Sequence, residues 1–240
     1  MSIQRYEGNG RMSKAVVFNN TIYLCGQTCG EGDIKEQTAG VLAKIEDLLR
    51  IRISSIEITE LNDKFLNMLS TNKKVCDHLH IPLQAGSDEI LKRMNRKYDL
   101  KYYEEKIKKI RMIRPDISIT TDIIVGFPYE TDKLFNETLE FSRKMNFSKI
   151  HVFPYSIRLG TSAANMPNQV DESIKKERVK KLMDLSETTE KEYYNKFVGK
   201  ELDILVEECD NNVSIGHSSN YLMIRLNEKL EVGQIYKRII

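Results

Sequence analysis

Polar side chains occupy alternate positions in three segments that have the pattern of strands, residues 78–84, 117–125 and 150–155. Successive side chains of a strand point to opposite faces, so each segment has an apolar row and a polar row, although Thr121 interrupts one apolar row. The polar rows contain His78, His80, Gln84, Ser118, Thr120, Asp122, His151 and Tyr155. Parallel strands buried on both faces are normally apolar throughout, so these rows predict a concave face where a ligand or water satisfies the polar groups.

A loop that contains glycine follows each of these segments: residues 84–87 (QAGS), 125–128 (VGFP) and 155–161 (YSIRLGT). Ligands of α/β barrels and sheets bind at the carboxyl ends of strands, where glycine lets the backbone approach closely and helix N-termini present free N–H groups. Together the loops predict one ligand-binding rim. The alternative is that each glycine is an ordinary turn residue.

Three histidines of the polar rows, His78, His80 and His151, could also suggest a metal site. No carboxylate completes a ligand set with them at a recognisable spacing in the sequence. We therefore interpret them as polar lining and predict no metal ligands.

Strands alternate with helices from Arg50 onward, which predicts parallel βαβ units and an α/β fold. The pattern predicts strands over 51–58, 78–84, 117–127 and 150–156, and helices over 61–69, 87–94, 102–113, 132–145 and 171–197. Residues 14–18 and 21–24 predict a hairpin, followed by an amphipathic helix over 34–50. After Gly199, residues 201–208, 220–226 and 234–240 predict the strands of a small β module. The predicted domains are 1–49, 50–198 and 199–240.

Composition narrows the class of protein. The 240 residues are 40% hydrophobic, enough for a real core, and the formal net charge of +2 gives no global field for nucleic acid, so any polyanion site must be a local patch. No apolar stretch approaches the roughly 20 residues of a spanning helix, and we expect a cytoplasmic protein without a membrane partner. The cysteines are too sparse for a disulfide scaffold and are expected to be reduced. They are Cys25, Cys29, Cys76 and Cys209.

From about Arg50 to Ile240 the chain resembles the tRNA methylthiotransferases of the radical SAM superfamily, in particular those that act on N6-threonylcarbamoyladenosine beside the anticodon. The matching stretches are RISSIE (52–57), HIPLQAGSDEILKRMNR (80–96), TDIIVGFPYET (121–131), HVFPYSIRLGT (151–161) and MPNQV (166–170). Residues 199–240 resemble the TRAM domain, a small β-barrel that binds tRNA. Ile58 and Tyr129 depart from the family pattern, which often has Pro and Gly there.

This resemblance implies an incomplete radical SAM-type (β/α) barrel that holds S-adenosylmethionine and a 4Fe-4S cluster and adds a methylthio group to C2 of the modified adenosine. The implied positions along S-adenosylmethionine are Gln84, Ser87, Asp122, Gly126 and Arg158. Those implied for contact with the tRNA anticodon stem-loop are Lys200, His217, Asn220, Tyr221, Arg225 and Lys237.

The family's cluster ligands, a CxxxCxxC motif, do not occur in this sequence. Cys25 and Cys29 have the first spacing, but Gly32 stands at the third position. Three thiolates are needed to hold three irons and leave the fourth for S-adenosylmethionine. We therefore expect no cluster-dependent catalysis from this chain by itself.

The first 49 residues instead resemble the start of the Rid/YjgF family of imine-hydrolysing proteins, on the stretches RMSKAVVFNNTIYLCGQ and QTAGVLAKIEDLL. The sequence thus predicts a truncated or chimeric methylthiotransferase with a junction near Arg50. A foreign N-terminal hairpin would leave barrel edges uncovered, which predicts oligomerisation or poor solubility. The alternatives are a non-catalytic RNA-binding protein that uses the TRAM-like module and, more weakly, a Rid-like imine deaminase.

Overall fold

The computed structural model describes residues 50–240 and, for the backbone, residues 4–8, 13–18 and 21–24. The predicted helix over 34–50 and the residues Cys25 and Cys29 lie outside this part of the chain, apart from Arg50. The described residues form two compact units. One contains the described residues up to Ser55 together with Leu69–Leu79 and Gly199–Ile240, and the other contains Ile56–Met68 and His80–Val198. The predicted partition at residues 49 and 198 follows family origin and stays a prediction.

The first unit contains a run of five neighbouring strands. They are β1 (Gln4–Gly8), β2 (Ser13–Phe18), β3 (Thr21–Leu24), β4 (Arg50–Ile53) and β5 (Val75–His80), whose last residue belongs to the second unit. Strand β2 pairs antiparallel with both β1 and β3, so residues 13–18 and 21–24 form an antiparallel pair. Strands β3, β4 and β5 pair in parallel. Strand β4 is shorter than the predicted strand 51–58, because the chain enters a 3-10 turn at Ile58–Glu60.

The same unit contains a four-stranded antiparallel sheet in the order β10-β9-β8-β11. These strands are β8 (Glu201–Asp210), β9 (Val213–Ser218), β10 (Met223–Leu226) and β11 (Ile235–Ile239). Asn211 and Asn212 both have positive φ, 45° and 67°, in the turn between β8 and β9, as a tight hairpin requires. The sequence analysis missed β9, and the three strands predicted there were too few. Its buried face is made of Ser214, Gly216 and Ser218, so the strand lacks the apolar row that the prediction looked for.

Arg50 connects the two sheets of the first unit. Its side chain is 9% exposed, and its guanidinium donates to the backbone oxygens of His217 (3.2 Å) and Asp203 (2.6 Å). Burial lowers the pKa of Arg50 below its ordinary value, and the carboxylates of Asp203, Asp77 and Glu207 oppose that shift. Arg50, at which the sequence predicts a junction, therefore forms hydrogen bonds that link the two sheets of this unit.

The second unit alternates strands with helices, which confirms the predicted α/β pattern. Its helices are α1 (Asp63–Thr71, of which the last turn lies in the first unit), α2 (Asp88–Arg93), α3 (Leu100–Ile113), α4 (Asp132–Met145) and α5 (Glu172–Asn195). Strands β6 (Ser118–Val125) and β7 (Lys149–Pro154) are parallel neighbours. No helix in the described part of the chain is long and apolar enough to cross a membrane.

Pro82 ends the predicted strand over 78–84 early, because proline has no N–H for a ladder hydrogen bond. The buried Thr121 hydroxyl of β6 replaces the missing link: it accepts from the Leu83 N–H (2.9 Å) and donates to the Ile81 oxygen (2.8 Å). Gln84 then rejoins β6 through an isolated bridge to Ile123. Thr121 interrupts the apolar row in the sequence, and its hydroxyl thus makes the hydrogen bonds that a backbone ladder would otherwise make. These bonds keep this segment beside β6.

A buried ion pair joins the loop after β6 to helix α5. The Glu130 side chain is fully buried, and its carboxylate accepts from the Gly126 N–H (2.6 Å) and from Arg178 (2.8 Å). Arg178 also donates to the Glu130 backbone oxygen and to the carboxylate of Asp132. Burial raises the pKa of Glu130, whereas the Gly126 N–H and Arg178 act in the opposite direction. The loop 126–132 is therefore fixed by a residue almost fifty positions further along the chain.

We predict that Arg178→Met destabilises the second unit by about 3–5 kcal/mol, because it leaves the Glu130 carboxylate buried without its cation. The matched control is Lys181→Met on the same helix, whose exposed pair with Glu177 should contribute less than about 1 kcal/mol. Urea unfolding of each variant measures the difference. The loss should be larger at pH 8 than at pH 5, since a carboxyl whose pKa is raised by folding destabilises the folded state as it ionises. Equal effects of the two substitutions would contradict this assignment.

Candidate functional site

A histidine, a carboxylate and a hydroxyl meet on the polar face of the second unit. His80 lies with its Nε2 3.2 Å from Oδ2 of Asp122 and its Nδ1 2.9 Å from Oγ1 of Thr120. His80 and Asp122 are half-buried, and Thr120 is buried. Both ring nitrogens of His80 thus face an oxygen, which fixes the orientation of the ring.

His151 completes this group from the neighbouring strand. Asp122 and His151 are register partners in the parallel pairing of β6 with β7, and the rings of His80 and His151 have centroids 5.6 Å apart. One ligand atom from each of His80, Asp122 and His151 lies within 4.8 Å of the others. Partial burial lowers the pKa of His151, which Asp122 opposes and His80 reinforces, so the ring favours its neutral form.

Strand geometry explains why these residues converge. The Ile81 N–H donates to the Thr120 oxygen and the Gln84 N–H to the Asp122 oxygen, so residues 80–84 run alongside β6 in a fixed register. Alternate residues then point to one side, which brings His80, Thr120 and Asp122 together. The convergence of these polar rows, which the sequence predicts, is present here. His78, the other histidine of that row, belongs to the first unit and contacts the ring of Tyr221 at 4.8 Å between centroids.

The sequence analysis missed the carboxylate of this group as a potential metal ligand. It looked for an acidic residue at a short spacing from the histidines, whereas Asp122 reaches them through strand pairing. The signal that could have found Asp122 is its position on the same polar row as Thr120, because this row and the polar row of His80 are predicted to line one face. In space, Asp122 lies within reach of His80 and His151, a proximity that spacing in the sequence does not show.

Of the residues predicted to lie along S-adenosylmethionine, Asp122 belongs to this group and Gln84 lies beside it through its backbone. Gln84 has φ 69°, donates its N–H to the Asp122 oxygen (2.8 Å) and accepts from the Ile124 N–H (2.9 Å). Its side chain is half-buried at the carboxyl end of the segment. Asp122 offers its carboxylate on the same edge, so these two positions share one side of the second unit.

Ser87, Gly126 and Arg158 have different surroundings. Ser87 is completely buried, and its hydroxyl donates to the Glu137 carboxylate (2.7 Å), so this group is already engaged. Gly126 has φ 73°, and a Cβ there would clash with Cγ of Lys175. Arg158 is exposed in a turn closed by the Thr161 N–H and hydroxyl, which both donate to its backbone oxygen. Gly126 is thus required by its turn and by close packing, and Arg158 is available to a ligand.

Tyr221, predicted to contact RNA, is 38% exposed, although three side chains of the first unit contact its ring. Arg52 places its guanidinium carbon 3.7 Å from the ring centroid, His217 stacks on the ring at 4.4 Å, and His78 lies 4.8 Å away. His217 is itself held by Glu207 at 2.8 Å. The residue remains partly accessible, and its contact with RNA stays a prediction.

The other predicted RNA contacts divide into engaged and exposed residues. Asn220 is buried and accepts a hydrogen bond from the Ser218 hydroxyl. Lys200, Arg225 and Lys237 are exposed, and Lys237 makes a long contact of 3.9 Å with Glu201. The exposed cations remain the positions suited to phosphate contact.

The chain matches the model of the radical SAM superfamily over residues 18–142. This match begins inside the segment for which the sequence predicts a Rid/YjgF origin, and that origin stays a prediction. Among curated proteins, the chain is 42% identical to the threonylcarbamoyladenosine tRNA methylthiotransferase MtaB of Bacillus subtilis, over 75% of this chain and 41% of that protein. It is 45% identical to a tRNA-2-methylthio-N(6)-dimethylallyladenosine synthase of Thermoanaerobacter, over 69% of this chain and 35% of that protein. The chain thus spans less than half the length of these relatives.

A solved structure also shares the fold. Coproporphyrinogen III oxidase (HemN) from Escherichia coli, described as a radical SAM enzyme, superposes with a TM-score of 0.53 at 18% identity, over 65% of this chain and 37% of that one. This likeness agrees with parallel strands β6 and β7 and their covering helices. Because the family model covers more than half of the sequence, the chain belongs to the radical SAM superfamily.

Proposed function

We propose that this chain provides the later barrel strands and the tRNA-binding module of a tRNA methylthiotransferase that acts at C2 of N6-threonylcarbamoyladenosine. The observation that carries the proposal is the likeness to MtaB over three quarters of the chain, together with the polar residues of β6 and of residues 80–84 that converge on one face. Superfamily membership implies S-adenosylmethionine and a 4Fe-4S cluster as cofactors.

The residues present fit one of these cofactors better than the other. The half-buried side chains of Gln84 and Asp122 provide hydrogen-bonding groups for a nucleoside, and the exposed Arg158 offers a cation for its carboxylate end. When bound beside a cluster, S-adenosylmethionine would supply a 5′-deoxyadenosyl radical. Gly126 has no side chain, so its loop packs closely against the Lys175 side chain. This packing holds the loop after β6 in one position at the edge of the candidate site.

The described residues do not fit an iron–sulfur cluster. Within residues 50–240, the one group of three potential ligands is His80, Asp122 and His151, which contains no thiolate. Cys76 is buried and Cys209 half-buried, and neither belongs to such a group. We therefore propose that this chain does not cleave S-adenosylmethionine by itself, and that its part in the reaction is to bind and position substrates.

The substitution Arg158→Ala should weaken the binding of S-adenosylhomocysteine, a stable analogue, by about tenfold, because one charge-assisted hydrogen bond contributes about 1.5 kcal/mol. Arg143→Ala, which removes an exposed arginine from α4, is the matched control and should bind as the unchanged chain does. Isothermal titration calorimetry measures both. If the unchanged chain does not bind the analogue at all, the assignment of this rim to the cofactor is wrong.

Anaerobic reconstitution with iron and sulfide tests the cluster directly. The expected result is iron well below four atoms per chain, no cluster absorbance and no 5′-deoxyadenosine from S-adenosylmethionine. The double substitution Cys25→Ser and Cys29→Ser should leave that result unchanged. A stoichiometric cluster that disappears in the double variant would show that these cysteines do hold iron, and the proposed inactivity would be incorrect.

The exposed cations of the four-stranded sheet provide the RNA test. Arg225→Ala should weaken the binding of tRNA and lower the slope of log affinity against log salt by about 1, as the loss of one phosphate contact requires. Arg238→Ala is the control, because Glu228 holds that guanidinium at 2.6 and 2.7 Å. Fluorescence anisotropy with a labelled anticodon stem-loop measures both variants. Identical slopes for the two would exclude Arg225 from the interface.

A second candidate function is non-catalytic RNA binding by residues 199–240. The absence of CxxxCxxC from the sequence favours it. It is distinguished by tRNA binding that persists without any affinity for S-adenosylhomocysteine. A Rid-like imine deaminase is a third and weaker candidate, and it would require hydrolysis of an imine by the purified chain.

A further inference from the structure

The group formed by His80, Asp122 and His151 is independent of the thiol chemistry of the family. We propose that these three side chains bind a divalent transition metal ion, of which Zn²⁺ is the best fitting, with one coordination position open to solvent. The proposal does not rest on the proposed function, because it requires neither S-adenosylmethionine nor tRNA.

The ligand types select the class of ion. Two imidazoles and one carboxylate suit Zn²⁺, Co²⁺, Ni²⁺ and Fe²⁺, whereas Mg²⁺ and Ca²⁺ prefer oxygen ligands throughout. Three protein ligands with a fourth position left for water are typical of zinc sites that are not purely structural. The chemistry of this group therefore indicates a borderline transition metal.

The distance between His80 and Asp122 is consistent with this interpretation. Metal–ligand bonds of about 2.0–2.1 Å in a tetrahedral site place neighbouring ligand atoms about 3.3 Å apart. The separation of His80 Nε2 from Asp122 Oδ2 is 3.2 Å, which is longer than the roughly 2.7–2.9 Å of a strong charge-assisted hydrogen bond. The two atoms are thus spaced as two ligands of one ion would be.

Thr120 provides the outer support that metal-bound histidines need. Its hydroxyl lies 2.9 Å from His80 Nδ1, so it can accept the proton of that nitrogen and leave the Nε2 lone pair directed at the site. A ligating histidine almost always donates its other ring N–H in this way. Thr120 is buried, so this partner is held in place.

His151 supplies both the third ligand and access. Its ligand atom is within 4.8 Å of those of His80 and Asp122, so a side-chain movement of about 1.5 Å would bring all three to bonding distance of one ion. The residue is exposed, which allows an ion to enter and water to fill the remaining position. The movement is inexpensive, because an exposed side chain changes rotamer readily.

Metal binding by the full chain tests this proposal. The chain should carry Cys25→Ser and Cys29→Ser in every sample, so that these thiols do not compete. Calorimetry should show one Zn²⁺ per chain, Co²⁺ should give the visible absorption of a tetrahedral site, and Mg²⁺ should not bind measurably. His151→Gln should weaken Zn²⁺ binding more than about tenfold, and Thr120→Val by about tenfold to 100-fold.

His217→Gln is the matched control, since His217 forms a histidine–carboxylate pair with Glu207 at 2.8 Å and belongs to no group of three potential ligands among the described residues. It should leave Zn²⁺ affinity unchanged. His151→Asp, which keeps a ligand, should restore part of the affinity lost in His151→Gln. Zn²⁺ should also raise the thermal midpoint of the unchanged chain but not that of His151→Gln, because an ion that binds only the folded state stabilises it.

The proposal is overturned if no saturable site of one ion per chain is found, or if His151→Gln binds Zn²⁺ as tightly as the unchanged chain. Asp122 is common to both proposals, but their failures remain distinguishable, because the proposed function is tested at Arg158 and at the exposed cations of the four-stranded sheet, which take no part in metal binding. Conversely, loss of S-adenosylhomocysteine binding in Arg158→Ala would leave the Zn²⁺ result unaffected.

Discussion

One missing hydrogen-bond donor shapes the polar face of the second unit. Pro82 has no N–H to donate to a strand ladder, yet residues 81–84 lie beside β6, which places His80 and Gln84 next to Asp122. The Thr121 hydroxyl solves this by accepting from Leu83 and donating to Ile81. Such a replacement must be complete, because an unpaired polar group in a buried strand costs about 1–3 kcal/mol. The segment that carries His80 and Gln84 is thereby kept beside Asp122.

The loop after β6 depends on a contact from far along the chain. Glu130 receives the Gly126 N–H from one side and Arg178 from the other, so the turn at Gly126 and the start of α4 are fixed together. Burial raises the pKa of Glu130 and so favours the neutral acid, and the Gly126 N–H and Arg178 oppose this effect by stabilising the carboxylate. The rim of the candidate site is therefore built by the combined action of β6, its loop and α5.

Local signals predicted those elements that local chemistry controls. Helix α4 was predicted at its observed limits, Asp132–Met145. Local residues set these limits in the structure: Thr131 caps the N-terminus, and Asn146 adopts a left-handed conformation after the end. Strand β9 was missed because small polar residues form its buried face. The segment 81–84 was predicted as strand because the alternation of its side chains persists, although the backbone ladder is interrupted at Pro82.

The candidate site was predictable as a face but not as a set of contacts. Alternation along the strands predicts that His80, Thr120, Asp122 and His151 point the same way, and the structure brings them together. The register that makes Asp122 the neighbour of His151 depends on strand pairing, which a single sequence does not encode at short range. The same limit explains Ser87, whose partner Glu137 comes from a helix fifty residues further on.

The reach of Arg178 has a consequence for how the superfamily region can be handled as a separate piece. The family match ends at residue 142, before α5 begins at Glu172. A fragment cut at that boundary would retain Glu130 and lose the guanidinium that neutralises it. The stretch covered by the family match is therefore smaller than the piece expected to fold, and excision at its edge would leave the Glu130 carboxylate without its counter-ion.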